Sequence, residues 1–423
     1  MKISSLQKLV GLVGLVVAAS RSTSALEPPT RKVLSNGIPV VVQDTYSSPT
    51  VSINIFIRVG SVHESADVNG ISHFYEHMFF RGTPRRTGLQ FKREIEGLGG
   101  STNASTTRDY THFYINLPKA YLRQGLEILA DAYLNAEVAA ESVKAERDVV
   151  LEEYRLGKNQ PARIVSDRMY SLLFPKNPYG RSIIGTEDIL KKVGREELLR
   201  HKHNYYVPAR TSLIIIGDVD RAQVVKDCEQ LFGSYHATGL PEGPIPIDAP
   251  PEKSVVINET SKTGQSQIYL AYMGPSVKNK PDVYEVDLLT FLLGYGKGSL
   301  LSKALKAPES GGDVGAEYLT QAYPGIINLS AFLPAGKEDD ALKKMDEVIK
   351  QVQAGNFTDK DLERARLLLS NIYAFGNETN AGKADGLGFY ETIDSSSFAI
   401  HYLEQIRKIT KQQVIDAANK YLG

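Results

Sequence analysis

The chain is poor in cysteine and balanced in charge. Cys228 is the only cysteine among its 423 residues, so no disulfide can form within the chain, and a protein of this length buries enough apolar surface to fold without one. Basic and acidic residues are equally numerous, at 49 each, and no basic patch stands out. Nucleic acid is therefore not expected as a partner.

Long apolar runs are also missing. No stretch reaches the roughly 18 apolar residues of a membrane-spanning helix, and the run Leu9–Ala19 is too short to span a bilayer. This run follows two lysines and precedes small residues, a pattern typical of a secretory signal peptide. We expect residues 1–25 to be the signal peptide, with cleavage near Ala25 or alternatively at Ala18–Ser20. The protein would then be periplasmic or secreted, and no cysteine near the cleavage region offers a lipid anchor.

Proline is concentrated in one place. Five prolines fall within Leu240–Pro251, which predicts a stiff linker at residues 236–253. Strand and helix patterns occur on both sides of it. We therefore expect an α+β fold with two related α/β domains at 26–235 and 254–423, each a mostly antiparallel sheet with helices packed on it. The second domain is predicted to begin with a strand at Ser254–Ile257.

Periodicity predicts the other elements. Asn36 and Gly37 form the turn of a predicted β-hairpin. Further strands are predicted at Val51–Val59, Ser101–Leu117 (as a pair), Thr211–Gly217, Gln267–Tyr272, Tyr318–Ala322 and Gly325–Phe332. Predicted helices include one from about Gly70, Ala139–Leu156, Arg221–Phe232 and Val283–Leu293, with further helices to the C-terminus.

Histidine is scarce, with eight in the chain, yet two of them flank a glutamate in a segment free of proline and glycine. His73 and His77 are four residues apart, so on a helix they project from the same face. Glu76 points towards nearly the same space. Two imidazoles at this spacing can hold one metal ion, and the order H-x-x-E-H is the inverse of the zinc-protease motif H-E-x-x-H. An ordinary histidine pair on an amphipathic helix is the alternative.

A catalytic zinc ion needs a third protein ligand besides an open position. In the predicted helix Ala139–Leu156, Glu146 and Glu153 share one face two turns apart, whereas Glu152 lies about 100° round the helix. A solvated acidic surface is the alternative interpretation of this helix.

These motifs resemble those of the inverzincin peptidases, the relatives of pitrilysin, insulysin and mitochondrial processing peptidase. The matching segments are 73–77, 99–106, 109–111, 146–153, 178–186 and 206–210. The resemblance implies one Zn²⁺ per chain with His73, His77 and Glu153 as ligands, and Glu76 as the general base that takes a proton from a zinc-activated water. It also implies that Glu146 accepts the N–H of a ligand histidine and fixes its tautomer.

The resemblance extends to substrate binding. The strand with Asn103 and Ala104 would hold an extended peptide as an added strand through main-chain hydrogen bonds, although an ordinary threonine-rich strand is the alternative. Asn103 is also one of five N-x-S/T sequons, and a glycan there would block this role, which favours a bacterial protein. His112, near the same strand, is a rival metal ligand.

One expected residue of such a site is missing. Tyr318 and Tyr323 lie about where relatives supply a tyrosine to the substrate and the developing oxyanion, but no arginine occurs between Arg221 and Arg364 to accompany it. We therefore expect a hetero-oligomer with a related subunit that lacks the zinc motif, or a homodimer.

The sequence thus predicts a zinc-dependent endopeptidase that hydrolyses peptides or unfolded protein segments. The alternative is a non-catalytic assembly or binding subunit on the same fold. Such subunits typically lose metal ligands, whereas all four motif residues are present here. The glycine-rich segment Gly294–Ser299 lacks the spacing of a phosphate-binding loop and follows a predicted helix, and no G-x-S-x-G motif supports serine chemistry.

Overall fold

The computed structural model describes residues 27–241, 243–257, 265–306 and 312–423. The predicted signal peptide lies outside the described residues. Within the described parts of the chain, every helix is too short or too polar to cross a lipid bilayer. The fold is a mixed α/β architecture with two sheets and many helices, which confirms the predicted fold class.

A six-stranded sheet forms the centre of the first half. Its strands are β1 (Thr30–Val33), β2 (Pro39–Asp44), β3 (Thr50–Ile57), β4 (Ser101–Thr106), β5 (Thr111–Pro118) and β6 (Thr211–Gly217). The spatial order is β1-β2-β6-β3-β5-β4, with β2 and β6 parallel and all other neighbours antiparallel. Strand β4 is therefore an edge strand, and it is the strand that carries Asn103 and Ala104.

Helices of the first half pack on this sheet and around its edge. They are α1 (Ile71–Met78), α2 (Gly88–Gly97), α3 (Leu122–Asn135), α4 (Ala140–Gly157), α5 (Pro161–Leu173), α6 (Glu187–Lys192), α7 (Arg195–Tyr205) and α8 (Arg221–Phe232). Strand β6 and helix α8 have the predicted bounds, whereas α5 was not predicted.

The second half repeats the scheme with a smaller sheet. Its strands β7 (Gln265–Met273), β8 (Asp313–Leu319) and β9 (Ile326–Pro334) are antiparallel in the order β7-β9-β8. Its helices are α9 (Lys280–Gly294), α10 (Leu300–Leu305), α11 (Glu338–Gln353), α12 (Asp359–Gly376), α13 (Asn380–Ile393), α14 (Ser397–Lys408) and α15 (Lys411–Tyr421).

Two strand predictions in this half were wrong. Ser254–Ile257 forms no strand, and Val255 and Val256 are 64% and 78% exposed, so the apolar run finds no partner in the described structure. The strand predicted at Tyr318–Ala322 is instead Asp313–Leu319, and it ends where Thr320 begins the connection to β9.

The two halves share one apolar core. Phe56 of β3 and Ile214 of β6 are fully buried in the same cluster as the helices of the second half. Helix α13 lies directly on this face of the first sheet, since a Cβ at Gly388 would fall 2.0 Å from a ring carbon of Phe56. The side chains of β3 and β6 are therefore buried on both faces, which explains the continuous apolar run Leu213–Ile216 of β6. Strand β3 alternates instead, and its polar residues Ser52 and Asn54 are buried as well.

The proline-rich segment is attached to the first half. Residues 236–241 and 243–253 contain no helix or strand. However, the Asp248 carboxylate accepts hydrogen bonds from the backbone N–H groups of Lys176 and Asn177, and the Asn177 side chain donates to the Pro246 carbonyl at 2.7 Å. The segment therefore has a fixed path along the first half. The exact domain bounds remain a prediction.

Candidate metal centre

The helix that carries the two histidines is held at its first turn by a buried carboxylate. Glu64 accepts hydrogen bonds from the backbone N–H groups of Gly70 and Ser72 at 2.7 and 2.8 Å and from the Asn69 side chain at 2.8 Å. These bonds satisfy N–H groups that an α-helix leaves unpaired at its start. Glu64 thus fixes the start of α1, and the sequence motif gave no sign of this role.

Two glycines allow the backbone of the loop before α6 to lie directly against the start of α1. Gly70 has φ +99° and Gly185 has φ +80°, values in the left-handed region that favours glycine. A Cβ at Gly70 would lie 2.3 Å from the Ile184 carbonyl oxygen, and one at Gly185 would lie 2.1 Å from the Asn69 carbonyl oxygen. Gly185 of the 178–186 segment is therefore explained by its contact with the backbone that leads into α1.

Helix α1 presents its histidines on the side opposite its core contacts. Phe74, Tyr75 and Met78 are buried in the apolar core of the first half. His73 and His77 project together instead, with ring centroids 4.9 Å apart. Because other residues of α1 make its core contacts, the two imidazoles can contact a residue from another helix.

That partner is Glu153 of α4. Its carboxylate oxygen lies 3.5 Å from Nε2 of His73 and 3.5 Å from Nε2 of His77. One ligand atom from each of the three residues lies within 4.8 Å of the other two. The side chains of His73 and Glu153 are 12% and 44% exposed, so the site opens to solvent on the Glu153 side.

A second glutamate of α4 orients one imidazole. Buried Glu146 lies with a carboxylate oxygen 3.2 Å from Nδ1 of His77, and its other oxygen pairs with the Arg81 guanidinium at 2.8 Å. With Nδ1 engaged in this way, Nε2 is the ring nitrogen of His77 that faces Glu153. This is the placement that the resemblance implied for Glu146.

The electrostatics of the three residues suit a cation. Burial lowers the pKa of His73 to about 4, so its imidazole is neutral at pH 7 and can donate a lone pair. Burial also acts to lower the pKa of His77, but its hydrogen bonds to Glu153 and Glu146 and the nearby carboxylate charges outweigh this and raise it. The hydrogen bond to His77 is the largest cause that lowers the pKa of Glu153. The donor set of two imidazoles and one carboxylate fits a catalytic zinc site.

Glu76 lies beside the ligand group and is held by the edge strand. The hydroxyl of Thr106, the last residue of β4, donates to its carboxylate. Burial raises the pKa of Glu76, and the bond from Thr106 only partly opposes this rise. A buried carboxylate with a raised pKa is suited to accept a proton. The contact with Thr106 was not predicted from the sequence.

The predicted substrate strand ends at the same place. In β4, Asn103 is exposed, and its side-chain oxygen accepts a hydrogen bond from the Ala104 N–H at 2.9 Å. Strand β4 pairs with β5 on one side, and no described strand pairs with its other side. The strand therefore leads along an open sheet edge to Thr106 and Glu76.

The other predicted residues make contacts outside the group His73, His77 and Glu153. His112 is buried, stacks on Phe56 with ring centroids 3.8 Å apart, and bonds the Asn54 side chain at 2.9 Å, which makes it a structural residue. The hydroxyl of Tyr318 donates to the Pro275 carbonyl at 2.8 Å. Tyr323 packs edge-on against Tyr179 at 5.7 Å. The substrate-binding role of the two tyrosines remains a prediction.

Two features next to Glu153 were missed by sequence reasoning. An open groove of about 550 Å³ is lined by Asp148, Val149, Glu152, Glu153 and Leu156. Arg163 of α5 lies close enough for its charge to act on both His73 and Glu153. Helix α5 carried no recognised motif, so the sequence gave no reason to place it at the site.

The fold and this site together define a class of protein, a two-sheet α/β protein with a His–His–Glu centre built on an H-x-x-E-H helix. Residues 39–187 match the family model described as Insulinase (Peptidase family M16), and residues 192–369 match that of the Peptidase M16 inactive domain. The chain belongs to peptidase family M16.

Similar proteins cover most of the chain. It is 28% identical over 377 residues to an uncharacterized zinc protease, YmxG, of Bacillus subtilis, covering 86% of this chain and 90% of that protein. It is 29% identical over 394 residues to a probable mitochondrial-processing peptidase subunit beta of Arabidopsis thaliana, covering 88% and 72%. A crystal structure of a protease from Helicobacter pylori has a TM-score of 0.84 at 22% identity, covering 94% and 97%, and shows the same fold.

Proposed function

We propose that this protein is a zinc-dependent endopeptidase that hydrolyses peptides or unfolded protein segments. The observation that carries the proposal is the convergence of ligand atoms from His73, His77 and Glu153 within 4.8 Å of one another, with the Glu76 carboxylate beside them. Zinc held by these three residues would lower the pKa of a coordinated water towards about 7 and polarise the substrate carbonyl.

The residues of the chain would divide the remaining work. Glu76 accepts the proton of the attacking water and returns it to the leaving amine, and its buried position beside Thr106 holds the carboxylate at one place for both transfers. Glu146 keeps the His77 ring oriented. Arg81 pairs with the other oxygen of Glu146 at 2.8 Å and so holds the carboxylate in place.

The open edge of β4 would hold the substrate. An extended peptide that pairs with this edge places its backbone next to Thr106 and Glu76, and Asn103 can exchange its bond to the Ala104 N–H for one to the substrate backbone. This mode of binding requires substrate backbone that is not already paired. We therefore propose unfolded segments and peptides as the substrate class.

Export and assembly are further parts of the proposal. The basic start and apolar run within residues 1–25 support an exported protein. The absence of arginine from residues 222–363 supports a second subunit as the source of that group. One of the relatives is named as a subunit, the probable beta subunit of mitochondrial-processing peptidase.

Substitution of Glu76 tests the proposed chemistry. Glu76→Gln keeps the size of the side chain but removes the base, so peptide hydrolysis should fall by at least ~10²–10⁴-fold while one zinc per chain is retained. His77→Ala should lose both zinc and activity. Glu96→Gln, at an exposed position of α2, is the matched control and should keep both.

The measurements are hydrolysis of a mixture of internally quenched peptides and zinc content after exhaustive dialysis. A Glu76→Gln protein with near-full activity would exclude Glu76 as the base. A wild-type protein that holds zinc but cleaves no peptide, alone or with a partner, would instead support the non-catalytic subunit.

A further inference from the structure

Arg163 is a cation at the metal centre without an anionic partner of its own. Its side chain is half-buried, and within the described parts of the chain it forms no ion pair and no side-chain hydrogen bond. The nearest acid one turn along its own helix, Asp167, is engaged elsewhere, by the Ser182 hydroxyl at 3.1 Å and the Arg108 guanidinium at 3.8 Å. Among the described residues, Arg163 therefore has no carboxylate in direct contact with its guanidinium.

Gly157 places the guanidinium on the face of α4 that carries the ligand. Positions 153 and 157 are one turn apart on the same side of the helix. A Cβ at Gly157 would lie 2.4 Å from a terminal nitrogen of Arg163 and 2.9 Å from its Cδ and Cζ. Arg163 thus lies in the space that any other residue at 157 would fill with its side chain, one helical turn beyond Glu153.

The charge of Arg163 reaches the ligands from this position. Burial is the main cause that lowers the pKa of His73, and the positive charge of Arg163 adds to it. After the hydrogen bond to His77, which is the largest cause, the same charge contributes to lowering the pKa of Glu153. The contribution of Arg163 is the smallest of the causes for both residues, in keeping with a position one helical turn beyond Glu153.

Acidic groups line the groove itself. Asp148 and Glu152 lie there together with Glu153, and Glu152 faces the Arg155 guanidinium at 3.9 Å. Zinc held by two neutral imidazoles and one carboxylate would keep a net positive charge, and Arg163 adds a second one next to Gly157, where α4 ends. A substrate carboxylate would therefore be attracted to this end of the site.

We propose that Arg163 binds a carboxylate of the substrate close to the scissile bond, so that this peptidase prefers peptides with Asp or Glu at one position beside the cleavage point. The inference rests on the proposed peptidase function and deepens it. Arginine is suited to the role because its planar guanidinium can hold a carboxylate through two parallel hydrogen bonds.

A peptide series tests the preference. A cleavable parent peptide with Gln at the positions around the scissile bond is compared with peptides that carry a single Glu or Lys, moved one position at a time. At one position, Glu should raise kcat/KM by about tenfold or more over Gln, the size expected of one charge-assisted hydrogen bond, and Lys should lower it. Arg163→Gln should bring the Glu-to-Gln ratio near one, and Arg163→Glu should reverse it in favour of Lys.

Two further variants distinguish the effect of the Arg163 charge at its position from general effects of charge or of misfolding. Gly157→Ala keeps the Arg163 charge but displaces the guanidinium, so it should reduce the Glu-to-Gln ratio. Lys144→Gln removes one exposed positive charge earlier on α4 and should leave the ratio unchanged. Circular dichroism and zinc content establish that each variant is folded.

Binding supplies a readout that does not depend on turnover. The Kd of the same peptides for the Glu76→Gln protein should be lower for Glu than for Gln, and Arg163→Gln in that background should remove the difference. Equal Glu-to-Gln ratios in wild type and Arg163→Gln, or an equal loss of rate for all peptides, would overturn the inference. Failure of the wild type to hydrolyse any peptide would overturn the peptidase proposal, while the Kd comparison would still decide the role of Arg163.

Discussion

At the scale of single residues, the metal centre depends on a chain of contacts behind the ligands. The Arg81 guanidinium pairs with Glu146, Glu146 bonds Nδ1 of His77, and Nε2 of His77 faces Glu153. Each contact fixes the orientation of the next group. A ligand histidine without such a partner can rotate and can carry its proton on the wrong nitrogen.

Removal of Glu146 should therefore weaken the metal site without removing a ligand. We expect Glu146→Ala to lower zinc affinity by roughly 10–100-fold, as measured by competition with a fluorescent chelator. Glu152→Ala, on the same helix but turned towards Arg155, should leave the affinity unchanged. Equal affinities for wild type and Glu146→Ala would show that His77 is oriented by other contacts.

The sequence predicted this part of the site well because it is local. Helical spacing alone puts His73 and His77 on one face, and it puts Glu146 and Glu153 on another. The contacts of Glu64, Thr106 and Arg163 were not predictable, because each depends on how separate segments meet in three dimensions. A single Glu, Thr or Arg in a loop, strand or helix carries no spacing pattern that would reveal such a meeting.

At the scale of elements, edge strand β4 connects the open side of the sheet with Glu76, the proposed base. Its exposed side carries Asn103, and its last residue, Thr106, bonds Glu76. A peptide that pairs with this edge would be placed by the same strand that contacts Glu76. Substrate binding and chemistry would then be coupled through a few residues of backbone.

Substitution of Asn103 tests this arrangement. Asn103→Ala should raise KM for peptides without loss of zinc or of thermal stability, because the side chain is exposed and bonds only the N–H of the next residue. One substrate protein should be cut in its unfolded form and resist in its folded form, because folded strands are already paired. Equal cleavage rates for both forms, followed by gel electrophoresis, would contradict binding at the sheet edge.

The predicted strands and helices agree with the structure where the residues are uniformly buried. The errors lie at the borders between elements. Strand β6 and helix α8 have the predicted bounds, since an unbroken apolar run and a strong helical period leave few alternatives. The run Ser254–Ile257 has the composition of a strand, but a strand needs a neighbour and the described structure offers it none. Helix α5 begins at Pro161, a residue that starts helices as readily as it ends them, so composition did not reveal it.

At the scale of the whole molecule, the two halves are joined by more than the linker. Tyr170 of the first half donates to the Gln321 side chain at 2.8 Å, and Asp109 accepts from the Ala322 N–H at 3.2 Å. These contacts fix the connection between β8 and β9 against the first half. Tyr318 precedes this connection and bonds the Pro275 carbonyl, and Tyr323 lies within it and packs against Tyr179.

A partner subunit should therefore increase activity. An oxyanion donor typically contributes about 10²–10³ in rate, and residues 222–363 contain no arginine to supply one. The purified chain should bind zinc yet cleave peptides weakly, and a related subunit without the zinc motif should raise kcat at least tenfold. High activity of the chain alone, unchanged by any partner and by its own concentration, would show that zinc, a tyrosine or a lysine suffices.

The contact of α13 with the first sheet also sets an order of events during synthesis. The ribosome releases the first sheet long before residues 380–393, so the face that carries Phe56 and Ile214 stays bare until Gly388 has emerged. Until then the nascent chain has its metal-binding residues but lacks the helix that seals this core. Burial of this face of the first sheet is therefore completed only when the last tenth of the chain has been synthesised.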